Sequence, residues 1–282
     1  MSRSIYILIA ALLASCAQPP ADRILFNSSR EGNSNIYLMD AQGENLQQLT
    51  SSKAEEWGAT WINRDEVSFL RQNGDSITRH RLHLPSGKES EDRQPANCLL
   101  DDKNMLYNKE GTKGLFVCKG EIYLLDIETG FVKHLTESIA GTSAYPSWGK
   151  DESSIIFTNN KAGSNDIYAL NLETMEVTSL VKGSANEERG AVSPDGKHLV
   201  FSSDISHKGN QDIMLLNMET QETRVIIDTP GTELIARWSG DGEQLYYGSN
   251  AAGNWEIYVY DLASGESRRL TNEPAFDGDP RV

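Results

Sequence analysis

An all-β ring of six four-stranded blades, a six-bladed β-propeller, is the fold class that the sequence predicts, on three observations. First, the stretch ILFNSSREGNSNIYLMDAQGENLQQLT, from Ile24 to Thr50, reads as three short strands, and it returns from Ile155, Leu199 and Leu245. A repeat of roughly 45 residues marks an array whose units bury their apolar faces on one another. Second, each return is preceded by a further apolar segment and a tight turn. Examples are Ser193-Pro194-Asp195-Gly196 and Ser239-Gly240-Asp241-Gly242, where the glycine can take the left-handed position of the turn. Third, the first unit lacks this preceding strand, and Asp279-Pro280-Arg281-Val282 near the chain's end matches Tyr145-Pro146-Ser147-Trp148. The first blade is therefore expected to take strands B, C and D from the N-terminal end and strand A from the C-terminal end.

Taken in order, the chain begins with Arg3, an apolar run Ile5–Leu13 too short to span a bilayer, and Leu13-Ala14-Ser15-Cys16. This resembles the lipobox of bacterial lipoproteins, and the resemblance implies that Cys16 becomes the lipidated first residue of the mature chain. Several acyl chains on one residue give stable anchoring where one is marginal. Residues 1–15 are thus expected to be a lipoprotein signal peptide, 16–22 the lipidated end and a short tether, and 23–282 the propeller. Ala17 after the cysteine, by the same resemblance, implies an outer-membrane anchor facing the periplasm of a Gram-negative bacterium.

Within the propeller, the strand-B aromatic is expected at Phe26, Phe69, Tyr107, Phe157, Phe201 and Tyr247. The strand-A core position is expected at Trp61, Cys98, Trp148, Val192 and Trp238, with an insertion around Thr112–Cys118 in the third blade. The second blade carries Arg79, His80 and Arg81 where others have Ile-Tyr. An exported chain permits a Cys98–Cys118 disulfide, but their spacing leaves the pairing open.

The Ser-Pro-Asp-Gly-Lys turn, the apolar-aromatic strand B, the Gly-centred loop, Ile-Tyr-x-x-Asp/Asn and the closing Leu-Thr together resemble the PD40 (WD40-like) repeat. That is the repeat of the TolB propeller and of the propellers of prolyl-oligopeptidase-like peptidases. The likeness runs from about residue 22 to the end. It implies a cell-envelope role, with a protein or peptide partner such as a peptidoglycan-associated lipoprotein. Two departures from TolB stand out: no space for its N-terminal α/β domain between Cys16 and Ile24, and apparent lipidation where TolB is soluble.

The chain carries 26 basic and 41 acidic residues, a net charge of −15. That excludes generic nucleic-acid binding, which needs cationic surface, and docking on anionic lipid through a basic patch. No Gly-x-Ser-x-Gly elbow occurs. His80 and His83 are three apart, so a strand points them to opposite faces, and the five histidines read as scattered surface residues. The Gly-Asn clusters lack the acidic series of an EF-hand and read as turn chemistry. Trp61, Trp148 and Trp238 occupy one repeated position and read as packing between blades. No cofactor, metal or catalytic residue is therefore expected, and the propeller is expected to be monomeric. The D–A connections, which crowd one mouth of the channel, are the expected binding face: Glu56, Trp57, Tyr145, Glu188, Arg189, Glu233, Asp277 and Asp279. Five carboxylates there would favour a partner presenting Lys or Arg. The alternative is an oligosaccharide-binding or metal-dependent, lyase-like propeller.

Overall fold

Each blade is built on one cross-strand pair. Strand B places an aromatic residue opposite a residue of strand C: Phe26 against Tyr37, Phe69 against His80, Phe116 against Tyr123, Phe157 against Tyr168, Phe201 against Met214 and Tyr247 against Tyr258. In five blades these are ring pairs with centroids 5.3–5.8 Å apart, each contributing about 0.5–1.5 kcal/mol beyond simple burial. Period-two alternation sends the intervening residues to the other face, so each blade is apolar on both faces and packs against two neighbours. His80 is thus a buried member of this series, not a surface histidine. Its neighbour Arg79, also buried, bridges to Asp92 (2.7 Å) and to the Tyr107 hydroxyl (2.6 Å) of the next blade.

The computed structural model describes residues 22–282; the expected leader, Cys16 and most of the tether lie outside the described residues. Within them are six antiparallel sheets of four strands, each in the order A-B-C-D. Closure is as the sequence predicts. Asp277–Arg281 pairs with Arg23–Ser28, matching Leu25 to Arg281, Asn27 to Gly278 and Ser28 to Asp277. Arg30 reaches across this seam to the buried carboxylate of Asp277 at 2.7 Å, and Val282 packs against the cluster around Phe26 and Tyr37.

The third blade corrects the sequence reading. Its strand A is only Leu106–Tyr107, and Lys113–Cys118 is strand B, with Phe116 as the paired aromatic. Tyr107 is therefore a strand-A core residue, and the supposed insertion is strand B. Cys98 belongs to the long connection ahead of that blade. That connection looked like a strand because it is itself buried, through Cys98, Leu100 and Met105. The disulfide left open by the sequence forms between Cys98 and Cys118, with Cα atoms 5.9 Å apart.

Because strand A of the first blade is supplied by the far end of the chain, removing residues 277–282 should leave strand B of that blade with an unpaired edge. The Tm is expected to fall by about 10 °C or more, far beyond ordinary terminal trimming. Scanning calorimetry of the truncated protein checks this, and a change of only a few degrees would show that the ring is closed some other way.

Candidate functional site

The channel lining is decided by a bulge that recurs in strand A. In five blades the A–B register slips at the same place in strand A, and one residue within that slip has a left-handed backbone: Gly58 (φ 63°), Tyr145 (50°), Arg189 (60°), Ile235 (59°) and Asp279 (56°). Glycine takes this conformation freely, whereas other residues pay about 1–2 kcal/mol for it, and a β-branched isoleucine is unusual there. A bulge re-aims the side chains of its strand. Tyr145, Arg189 and Ile235 accordingly line one cavity of about 520 Å³. Gly58 and Asp279 border a smaller recess beside it.

The third blade has no such bulge. The connection before it forms the cavity wall instead, from Asn97 to Asn104, tied to the end of strand B by the Cys98–Cys118 bond. Apolar Leu100, Val117 and Pro146 alternate in the lining with polar groups.

Asp101, Asp102, Lys103 and Lys119 bring two charges of each sign to the lining, and three guanidinium groups leave it net positive. Arg189 stacks on the Tyr145 ring, its central carbon 3.7 Å from the ring centroid. Arg237 and Arg281 lie deeper and also line the cavity at the opposite mouth, so they sit between the two ends of the channel. Among the described residues neither has a carboxylate within 4.0 Å. Burial pushes Arg237 well below the ordinary arginine pKa, and the like charges of Arg281 and Arg189 push the same way. Arg281 is lowered too, first by burial, with Asp279 opposing and Arg189 adding. Arginine stays protonated in proteins, so these shifts describe buried cations, with Asp279 opposing the shift at both.

The expected acidic mouth is therefore corrected. Glu56, Glu233 and Asp277 are fully buried. They stand five residues before the strand-A core position, in register with Glu187 and Ser143, and point into the blade junctions. There Glu56 meets Arg71 at 2.6 Å, Glu233 accepts from the Ser249 hydroxyl at 2.7 Å, and Asp277 meets Arg30. Glu188 is half-buried, accepting from Asn165 at 2.5 Å and lying 3.9 Å from Arg189. Asp279 sits 3.6 Å from Lys103. Trp57 packs beside the wall and donates to the Asp102 carbonyl at 3.1 Å. Of the eight residues expected at the mouth, Tyr145 and Arg189 line the main cavity and Asp279 the recess beside it; the buried three do not reach either.

Arg237 and Arg281 were missed, although a sequence signal for them existed. Each stands one residue before the strand-A core position, on the opposite face of a strand whose core residue points inward. The tryptophans are packing, as expected. Trp238 donates to the Ala191 carbonyl of the preceding blade at 2.9 Å, and Trp61 to that of Arg281 at 3.3 Å. The hairpin asparagines also act locally: Asn33 and Asn254 donate to carbonyls of the following D–A connection at 2.6–3.1 Å.

Comparison with known proteins bears on the fold. The family model for the dipeptidyl peptidase IV N-terminal region matches residues 193–279. The chain is similar to the crystal structure of TolB from Acinetobacter baumannii, with TM-score 0.78, 18% identity and 92% of this chain covered; it spans 65% of that protein's length. It is similar to a putative TolB from Agrobacterium tumefaciens, with TM-score 0.71, 16% identity, and 92% and 91% of the two chains covered. An oligogalacturonate lyase from Vibrio parahaemolyticus matches with TM-score 0.56, 18% identity, and 88% and 74% covered. At such identities the likeness defines a fold: this is a TolB-like six-bladed propeller.

Two predictions follow from the buried groups. The Glu187 carboxyl is pushed up to about 7 by burial, with the charges of Asp166 and Asp204 adding to it. The folded state therefore holds an extra proton between its ordinary 4.5 and about 7, and stability falls as pH rises through that window. Glu187→Gln is expected to raise Tm by about 5 °C near pH 8 and to change little near pH 4, which thermal melts at the two pH values measure. Replacing Cys98 and Cys118 together with serine should cost about 3 kcal/mol in urea unfolding, from the lost closure of the loop.

Proposed function

We propose that this chain is a non-catalytic binding module of the bacterial envelope, lipid-anchored through Cys16 to the outer membrane and facing the periplasm. It holds an envelope protein or peptide at the D–A mouth of its channel. The observation that carries this reading is the trio Arg189, Arg237 and Arg281 around a cavity with an aromatic and aliphatic wall. Among the described residues Arg237 and Arg281 have no carboxylate within 4.0 Å, and Arg189 has only the longer contact to Glu188 at 3.9 Å. Such guanidinium forks favour a ligand that brings carboxylates, so the partner segment is acidic or carboxylate-terminated. Trp57, Tyr145, Glu188 and Asp279 frame the opening and supply its rim. Neither serine nor histidine lines the cavity, which supports binding over nucleophilic chemistry. The disulfide supports an oxidising compartment, and the TolB-like fold supports an envelope role. A peptidoglycan-associated lipoprotein is the first partner to try.

A second reading rests on the same arginines. They suit the carboxylates of an acidic oligosaccharide equally well, and one neighbour of this fold is an oligogalacturonate lyase. Affinity capture from crosslinked envelope extract, with the mature protein as bait, separates the two. An envelope protein recovered by the wild type and reduced at least tenfold by Arg189→Glu and by Arg237→Gln is the expected result. Undiminished capture by both variants would contradict the site. Recovery of no protein, with oligogalacturonate binding that Arg189→Glu abolishes, would establish the second reading.

A further inference from the structure

The blade junctions follow a rule of polar satisfaction, and the fifth blade breaks it. Strand C begins with a polar residue, and the residue just after strand D lies beside it. In three blades that neighbour is a threonine: Thr50, Thr136 and Thr271 each accept from the first amide of the apolar stretch of strand C, at Ile36, Ile122 and Ile257. Where strand C begins with an acid, the same hydroxyl donates to it, Thr136 to Glu121 and Thr271 to Glu256. In the fourth blade Asp166 is satisfied differently, by the Gly183 amide at 3.2 Å and the Tyr168 hydroxyl at 3.1 Å. Each of these carboxylates has its donors.

Asp212 of the fifth blade has none. It is fully buried, and neither of its carboxylate oxygens has a hydrogen-bond partner among the described residues. The residue that should supply the hydroxyl is Asp228, a second carboxylate. On its other side Glu233 of the next blade adds negative charge and a further buried oxygen without a partner. Leaving a buried carboxylate without donors costs several kcal/mol, and placing a second beside it adds repulsion.

Among the described residues, an imidazole is the donor group brought near this point. Strand B of this blade runs on to His207, longer than its counterparts, and the hairpin returns at Asn210 so that His207 lies over the start of strand C. Its Nδ1 is 3.8 Å from Asp212 Oδ2. The nearest ligand atoms of His207, Asp212 and Asp228 all lie within 4.8 Å of one another. A protonated His207 could serve one oxygen of Asp212 and would leave the other, and Asp228, unanswered.

We infer that His207, Asp212 and Asp228 form a binding site for a divalent transition-metal cation, Zn²⁺ by its donor set, at the junction of the fifth and sixth blades. One imidazole nitrogen with carboxylate oxygens is a set that zinc accepts, whereas calcium prefers oxygen alone. Ligand atoms around a tetrahedral zinc stand about 3.4 Å apart, so atoms within 4.8 Å of one another need close in by at most about 1.4 Å. His207 and Asp228 are exposed and free to make that movement, while Asp212 is the fixed buried anchor. The bound ion would neutralise the charge that the blade junction leaves uncompensated, and would tie strands B, C and D of one blade together. Its role is independent of the channel cavity.

Isothermal titration of the chelator-treated mature protein with ZnCl₂, MnCl₂ and CaCl₂ tests this, alongside thermal melts with and without each metal. The expected result is one Zn²⁺ per chain with a rise in Tm. Both should weaken at least tenfold or vanish in Asp212→Asn and in His207→Ala. The second variant alters an exposed side chain and should fold as the wild type does, so its loss of binding cannot be blamed on misfolding. Absence of Zn²⁺ binding to the wild type overturns the inference. So does Zn²⁺ binding that survives both substitutions, or a preference for Ca²⁺ that His207→Ala leaves unchanged.

Discussion

The structure depends on one backbone pairing, that of Asp277–Arg281 with Arg23–Ser28. Every other blade is contiguous in sequence and could form locally; this one needs both ends of the chain. An open array would leave strand edges and two apolar blade faces in water. The same strand also supplies Asp279 and Arg281 to the channel, so closing the ring and completing the site are one event. A ligand that binds Arg281 would stabilise the closure, and a loosened closure would weaken binding.

Strand A divides its residues between two tasks by alternation and a bulge. Five positions before its core residue, a buried acid or serine joins the polar junction between blades. The bulge then turns the chain, and the residues three before the core, with Arg237 and Arg281 one before it, face the channel. The backbone strain at Tyr145, Arg189, Ile235 and Asp279 is therefore concentrated where the protein meets a ligand, as strain at functional sites commonly is. The buried junctions and the channel lining differ: donors answer the junction carboxylates of most blades, Asp212 excepted, whereas Arg237 and Arg281 in the channel have no carboxylate within 4.0 Å among the described residues.

Much of this was legible in the sequence. The repeat, the aromatic of strand B and the matching of the chain's end to strand A are strong local patterns, and they gave the blade count and the closure. The third blade was misread because Cys98, Leu100 and Met105 are buried in a connection, and burial without hydrogen-bonded pairing looks like a strand in a one-dimensional pattern. The site was read less well. Glu56, Glu233 and Asp277 looked like a binding rim because acids usually face water, and only their partners Arg71, Ser249 and Arg30, brought in from other strands, reveal that they are structural. Arg237 and Arg281 were not legible because alternation puts them on the face opposite the core residue without saying that this face lines a channel. The distinctive feature of Asp212, a missing hydroxyl donor, is an absence in three dimensions that no spacing in the chain announces.

A ring held shut by its two ends is read directly by native-state hydrogen exchange followed by mass spectrometry. The amides of Ile24–Ser28 and of Asp277–Arg281 are predicted to exchange as slowly as those of Ile155–Asn159 in an internal blade, opening only when the whole ring unfolds. Fast exchange of either end, at the rate of a frayed terminus while the internal blades stay protected, would contradict the closure and with it the assignment of Arg281 to the channel.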